Sequence, residues 1–340
     1  MSRRKKIIVM MIAAIIPFLS ERSLAEEDFY KGKVVSYNLA TTPGGSWDSY
    51  LRVFTRHFPK HIPGNPRIVI QYMPGGGGIR ALNYVYTIAP KDGTYIATPL
   101  PTSLLYAQMN PKDAVAKLDQ LVWVGSMAPT QDIISVWHTG PVQTIEDAKR
   151  IEITMGATGA GSNTFFDLML ANHFVGTKFK PILGYQGSAE IDIAIERGEL
   201  GGRAVPWDGW VTGRPQWLAD GKLIHLMQVG LKKSSEIGDV PLLSDLIKNK
   251  EDKEIADLVG SYYTLGRTIY LPMSVPVDRV KMLRDAFIKT MTDPEYLAEA
   301  KSLKLNTGEF LAASEIENIL KKTLSTSTQV LEKAKTIITP

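Results

Sequence analysis

The chain has 340 residues, no cysteine, and a formal charge of +4 from 39 basic and 35 acidic side chains. Five of the bases (Arg3, Arg4, Lys5, Lys6 and Arg22) and one acid (Glu21) fall in the first 25 residues, so the remainder is formally neutral. A neutral body excludes the charge footprint of a nucleic-acid binder or a polybasic membrane patch, and the missing thiols exclude Cys-built zinc sites and thiol redox chemistry.

The first segment is a basic stretch, then an apolar run from Ile7 to Leu19, then Ser23-Leu24-Ala25. That order reads as a secretory signal peptide over residues 1–25, with small residues where a signal peptidase cuts. The apolar run is shorter than the ~20 residues a bilayer span needs. An exported chain starting at Glu26 is expected. Its length suggests two domains.

From there, strands alternate with amphipathic helices, which predicts an α/β protein. A strand is expected over 33–40. After Pro43-Gly44-Gly45-Ser46 a helix carries Trp47, Tyr50, Leu51, Phe54 and Phe58 at helical spacing and is expected to end at Pro59 and Pro63. A second strand over 67–72 leads into Pro74 and four glycines, then a helix burying Leu82, Val85, Tyr86 and Ala89. Asp92-Gly93 turns the chain into a strand over 94–98. The pattern repeats with a strand over 151–156, a loop over 157–161, and a helix capped by Ser162. A strand over 179–183 then runs through Gly184-Tyr185-Gln186-Gly187 into a helix stopped at Gly198. Asp293-Pro294-Glu295 has the grammar of a helix start, and Ile316, Ile319, Leu320 and Leu324 mark a final amphipathic helix. No low-complexity linker divides the halves, so the backbone is expected to cross between domains more than once, through 122–136 and 261–271.

Four loops share one design, a strand followed by a Gly-containing turn and a helix start: 43–46, 74–78, 157–162 and 184–188. Glycine lets backbone approach a ligand without a Cβ in the way, and a helix N-terminus offers unpaired N–H groups with partial positive charge. Two such loops in each half predict a convergent anion site. Gly76-Gly77-Gly78-Ile79-Arg80-Ala81 formally fits a dinucleotide fingerprint, but Asp92 precedes the next strand and is a turn residue rather than a ribose partner. No nucleophile elbow surrounds any serine. His57 and His61 have helical metal-ligand spacing, but Pro59 stands between them. No catalytic residue, metal or cofactor is therefore assigned. Arg203, in the apolar segment Gly202-Arg203-Ala204-Val205-Pro206, must be paired, with a ligand carboxylate or with Asp208 or another acid. Trp47, Trp207 and Trp210 either line a pocket or fill the core.

Taken in order, Thr42-Pro43-Gly44-Gly45-Ser46-Trp47-Asp48, Met73-Pro74-Gly75-Gly76-Gly77-Gly78, Pro90-Lys91-Asp92-Gly93-Thr94-Tyr95, Thr158-Gly159-Ala160-Gly161-Ser162, Gly184-Tyr185-Gln186-Gly187-Ser188, Gly238-Asp239-Val240-Pro241 and Asp293-Pro294-Glu295 resemble the motifs of the solute receptors of tripartite tricarboxylate transporters, the Bug family. The resemblance spans the whole chain after the leader. It implies a bilobed, type II Venus-flytrap fold with two mixed-sheet α/β lobes, lobe 1 over 26–125 and 265–340 and lobe 2 over 126–264. It further implies a monomeric periplasmic receptor, not an enzyme, that holds a small carboxylate between its lobes and delivers it to the membrane permease subunits. By carry-over, Gly45, Ser46, Trp47, Asp48, Gly77, Ser162, Gly187, Ser188 and Asp208 are expected contacts, with Arg203 and Trp207 departing from the family pattern. An exported α/β hydrolase or lyase, and a ligand sensor feeding a signalling partner, stay open as alternatives.

Overall fold

The computed structural model describes residues 29–338, so the expected signal peptide over 1–25 lies outside the described residues. The chain starts with strand β1 (Val34–Leu39), whose last three residues are buried, and enters helix α1 (Ser46–His61). Trp47, Tyr50, Leu51, Phe54 and Phe58 line the inner face of α1, as their spacing requires. Pro59 does not end this helix. It sits inside the last turn, and α1 continues to His61 before Ile62 turns extended, so the expected stop is corrected by two residues. Strand β2 (Arg67–Tyr72), helix α2 (Ile79–Thr87), strand β3 (Tyr95–Thr98) and helix α3 (Pro101–Met109) follow.

Strand β4 (Val122–Ser126) and strand β5 (Asp132–Trp137) are close in sequence but belong to different sheets. After β5 come helix α4 (Ile145–Arg150), opened by a Thr144–Asp147 capping box, strand β6 (Ile153–Gly156) and helix α5 (Asn163–Val175). Strand β7 (Phe179–Ile182), helix α6 (Ser188–Glu196), strand β8 (Gly202–Pro206), helices α7 (Trp207–Gly213) and α8 (Pro215–Ala219), and strand β9 (Leu223–Val229) complete this half. Helix α9 (Lys250–Leu265) returns the chain to strand β10 (Thr268–Leu271). Helices α10 (Val277–Met291) and α11 (Pro294–Ser302), the short strand β11 (Leu311–Ala312), and helices α12 (Ala313–Leu324) and α13 (Thr328–Ile338) finish the chain. Asp293 caps α11 by accepting from the Glu295 N–H, with Pro294 at the first helical position.

The result is two mixed sheets. The first has the order β11-β4-β10-β3-β1-β2, with β1 parallel to both β2 and β3 and the remaining pairs antiparallel. The second has the order β7-β6-β8-β5-β9, with β6 parallel to β7 and β8, and β5 antiparallel to β8 and β9. Residues 127–131 and 266–267 connect the sheets and are tied to each other, since Met127 N–H donates to Arg267 O and Arg267 N–H to Ala128 O. One apolar core packs α1 and α10 on the first sheet, another packs α6, Trp210 and Trp217 on the second, and a third runs from Leu104 through Phe166 to Tyr263. Helix α13 packs on α5 and α9. Among the described residues no helix is long and apolar enough to cross a membrane.

Candidate ligand site between the two sheets

Ligands of open α/β sheets collect beyond the carboxyl ends of parallel strands. The four Gly-containing loops all leave such ends here: β1 and β2 in one sheet, β6 and β7 in the other. They face one another across a cavity of about 170 Å³. Ser46 and Trp47 border it from the first loop, Gly75 to Gly77 from the second, Thr158, Asn163 and Thr164 from the third, and Gly184, Tyr185, Gln186 and Ser188 from the fourth. Ala40, Leu100, Val205 and Pro206 supply apolar wall. None of the described residues lining it is charged.

The sheets approach so closely at this point that backbone meets backbone. Gly77 has φ +63°, and a Cβ there would stand 2.3 Å from the Ser162 nitrogen. At Gly187 a Cβ would stand 1.9 Å from Thr42 Oγ1. At Gly77 the obstacle is backbone, so a side chain there would push the two halves apart, whereas at Gly187 the Thr42 hydroxyl would have to rotate away.

Of the residues expected to touch a ligand, Ser46, Trp47, Gly77 and Ser188 border the cavity. Gly45 lies next to it, within 3.8 Å of Ser188 Oγ if a Cβ is added. Asp48 is buried and committed to its own loop: it accepts from Gly44 N–H at 2.9 Å, from Tyr72 Oη at 2.5 Å and from Arg52 Nε at 2.8 Å. Ser162 is fully buried at the start of α5, where its hydroxyl makes no cap bond. Both its N–H and its Oγ donate to Gly159 O, at 3.0 and 2.7 Å, and the hydroxyl also meets Thr164 Oγ1. It braces its loop. Trp207 and Asp208 border a different, open recess with Thr130, Lys232 and Asn306.

Arg203 is not beside Asp208. Its Nε donates to Asp192 Oδ1 at 2.7 Å, its guanidinium stacks 4.1 Å over the Trp210 ring, and its Nη1 donates to Ser188 Oγ at 3.1 Å. Asp192 also takes Arg214 Nε at 3.0 Å. Asp208 instead pairs with a residue that sequence reasoning passed over. Arg267 is fully buried and directs Nη2 at both carboxylate oxygens of Asp208, at 2.7 and 2.6 Å. Its Nη1 donates to Pro129 O, and its guanidinium lies 3.8 Å over Tyr50. The signal was present, because Arg267 is a lone charge beside the apolar run Ile269-Tyr270-Leu271.

A buried acid pair was also missed. Asp132 opens β5 and accepts from Asn163 Nδ2, while Asp167 on α5 accepts from Tyr263 Oη at 2.5 Å. The remaining oxygens, Asp132 Oδ1 and Asp167 Oδ2, are buried without a hydrogen-bond partner. Burial, then repulsion by Asp132 for Asp167, raises both above the ordinary carboxylate range, which favours a proton on the pair.

His57 and His61 do share a continuous helical face, because α1 passes through Pro59. His57 Nε2 bonds Glu299 at 2.6 Å and His61 Nε2 bonds Asp293 at 2.9 Å. His57, Asp293 and Glu295 come close enough to group around an ion, but Lys60 Nζ already stands 2.6 Å from Glu295 and 3.3 Å from His57 Nδ1. The lysine's own charge fills that role.

No protein-family model matches the chain, and no curated protein matches it by sequence. Solved structures do match it. The periplasmic binding protein BugD aligns with TM-score 0.69 at 16% identity, covering 91% of this chain and 98% of its own. An R. palustris protein solved with adipate aligns at 0.67 and 16%, covering 90% and 97%. MatC from Rhodopseudomonas palustris with bound malate aligns at 0.67 and 14%, covering 90% and 99%. The motif resemblance therefore holds at the level of architecture: the chain has the bilobed, two-sheet fold of these periplasmic binding proteins.

Proposed function

We propose that this protein is an exported, periplasmic solute receptor of the Bug type that binds a small carboxylate between its lobes and delivers it to the permease of a tripartite tricarboxylate-type transporter. The observation that supports this reading best is the uncharged cavity walled by four helix-start loops, two from each sheet. A carboxylate there meets N–H groups at helix N-termini and hydroxyls, whose bonds to it strengthen as the surrounding walls shield it from water. Adipate and malate in two neighbours of the same fold are carboxylates of fitting size.

In this reading Ser46, Trp47, Gly77 and Ser188 touch the ligand, with Gly45 and Gly187 beside them, while Asp48, Ser162 and Asp208 hold the loops and lobes around it. Residues 26–125 and 265–340 form one lobe and 126–264 the other, with closure about 127–131 and 266–267. The division is not clean at one side, where α9 packs on α3 and α12, and α13 packs on α5 and α9. The surroundings of Ser188 support binding rather than acyl transfer. The hydroxyl of Ser188 faces a guanidinium, which cannot accept a proton, rather than an imidazole base. A thermal-shift series with acetate, malate and adipate tests the reading: a ligand that binds only the folded state raises the melting temperature in proportion to its affinity. A carboxylate panel that leaves the melting temperature flat while uncharged sugars or amino acids raise it would sink it.

A further inference from the structure

We infer that Arg203 is a positioning residue that turns the proton of the Ser188 hydroxyl toward the cavity, so that the site favours ligand groups that accept. This deepens the carboxylate reading and rests on it for the ligand. A serine hydroxyl has one proton and two lone pairs, and left alone it can donate or accept. Here an Arg203 Nη1–H occupies the oxygen from inside the lobe, at 3.1 Å, and arginine offers no acceptor in return. The hydroxyl proton must then point elsewhere. Ser188 borders the cavity and faces Gly45 across it, so elsewhere is the ligand.

The arginine cannot swing away to relax this. It is 1% exposed, held by Asp192 at 2.7 Å and clamped on the Trp210 ring. Trp210 is fixed in turn by its Nε1–H bond to Ser135 Oγ at 3.1 Å. Arg203 and Arg214 share Asp192, and Glu190 in the first turn of α6 accepts from Gln186 N–H at 2.9 Å, so the charges here balance and an anion is favoured by the helix's own N–H groups and partial charge. The first lobe carries a weaker version of the same device. Ser46, at the start of α1, has the buried Arg267 Nη2 at 3.5 Å, the outer limit of a hydrogen bond.

Two measurements test this. Neutron diffraction from the perdeuterated, ligand-free protein should show the Ser188 Oγ deuteron on the cavity side and an Arg203 Nη1 deuteron on the other. A Ser188 deuteron turned to a backbone carbonyl or to Asp192 overturns the inference whatever the ligand is. Calorimetry with malate and adipate is then run on the wild type, Arg203→Met, Ser188→Ala, the double variant and Arg203→Lys, with melting curves for each. Each of the first two substitutions should weaken binding about tenfold, the worth of one hydrogen bond to a charged group. The double variant should bind within about threefold of the weaker single, because both remove the same bond, and Arg203→Lys should recover part of the loss. A double variant weakened by the product of the singles shows that Arg203 acts independently of Ser188 and overturns the inference. If neither acid binds the wild type, the carboxylate reading fails, and the deuteron position still decides the role of Arg203.

Discussion

The two buried arginines near the cavity are built alike and placed differently. Arg203 takes its acid, its aromatic platform and its serine from elements of its own sheet. Arg267 stands at the head of β10 in the first sheet, lies over Tyr50 of α1, and takes its acid from α7 on the second. An ion pair within one sheet survives any separation of the sheets, whereas a pair between them must be broken. Arg203 therefore belongs to a site already formed in each lobe, and Arg267 to the contact between lobes. Their acids differ too: Asp192 has a second cation in Arg214, while Asp208 depends on Arg267.

That contrast sets the largest expected effect. Arg267→Met should lower stability by about 3 kcal/mol in urea denaturation, because removing one partner of a buried pair leaves the other charge uncompensated. Arg203→Met should cost about half as much, since Asp192 keeps Arg214. Equal losses from the two variants would break the comparison.

The acid pair sharpens it from the other side, because Asp132 lies at the seam with Arg267 and Asp208 in its field. Burial pushes Asp132 up to about 7 and raises Asp167 as well, so the folded protein holds a proton that the unfolded chain releases above about pH 4. Stability from this source is full below pH 4 and is lost as pH rises toward 7, at up to ~1.4 kcal/mol per pH unit for one proton. His225 works in the opposite sense. Burial lowers its pKa to about 4, so its contribution is full at neutral pH and fades as pH falls below about 6.5. Asp167→Asn removes the acid pair and leaves His225 alone. The difference between variant and wild-type stability should grow in the variant's favour from pH 4 to 7, by about 3 kcal/mol in total. A difference that stays constant with pH would show that the pair shares no proton.

The sequence announced the four loops because their chemistry is local: a strand end, a glycine, a helix start. Asp293-Pro294 announced α11 for the same reason. Arg203 was legible as a charge that must be paired, but Asp192, eleven residues earlier on a different element, was not legible as its partner, and the nearer Asp208 drew attention instead. Arg267, Asp132 and Asp167 were illegible as a group because they converge only when two sheets meet. Pro59 misled for a physical reason. Near the C-terminal end of a helix, a proline removes one bond while the turns before it are already built. Ser162 looked like a cap by its place in the motif, yet its hydroxyl turned back to Gly159 O.

The contact between lobes offers a third break. Gly77→Ala places a methyl group where the Ser162 backbone stands when the halves meet, in a backbone conformation that already disfavours alanine. Binding should weaken by at least about tenfold, or ~1.4 kcal/mol, with little loss of either core. Small-angle scattering should show a larger radius of gyration for the variant at saturating ligand. Wild-type affinity and dimensions would mean that the lobes close without this contact.

The smallest effect separates the two kinds of serine. Ser162 and Ser188 occupy matching places, each at the helix start after a Gly-containing turn of the second lobe. Ser188 has its oxygen filled by a guanidinium and its proton directed outward; Ser162 spends its proton on Gly159 O and is closed off from the cavity. Ser162→Ala should therefore cost about 1 kcal/mol of folding stability, one buried neutral hydrogen bond, and change carboxylate affinity by less than about twofold. Ser188→Ala should do the reverse, weakening binding about tenfold while barely moving the melting temperature, since the half-exposed hydroxyl it removes bonds a guanidinium that keeps Asp192. Paired calorimetry and melting curves read both quantities on both variants. If Ser162→Ala loses affinity while keeping its stability, its hydroxyl is released to the ligand, and the division of labour between the two loops is the opposite of the one drawn from their hydrogen bonds.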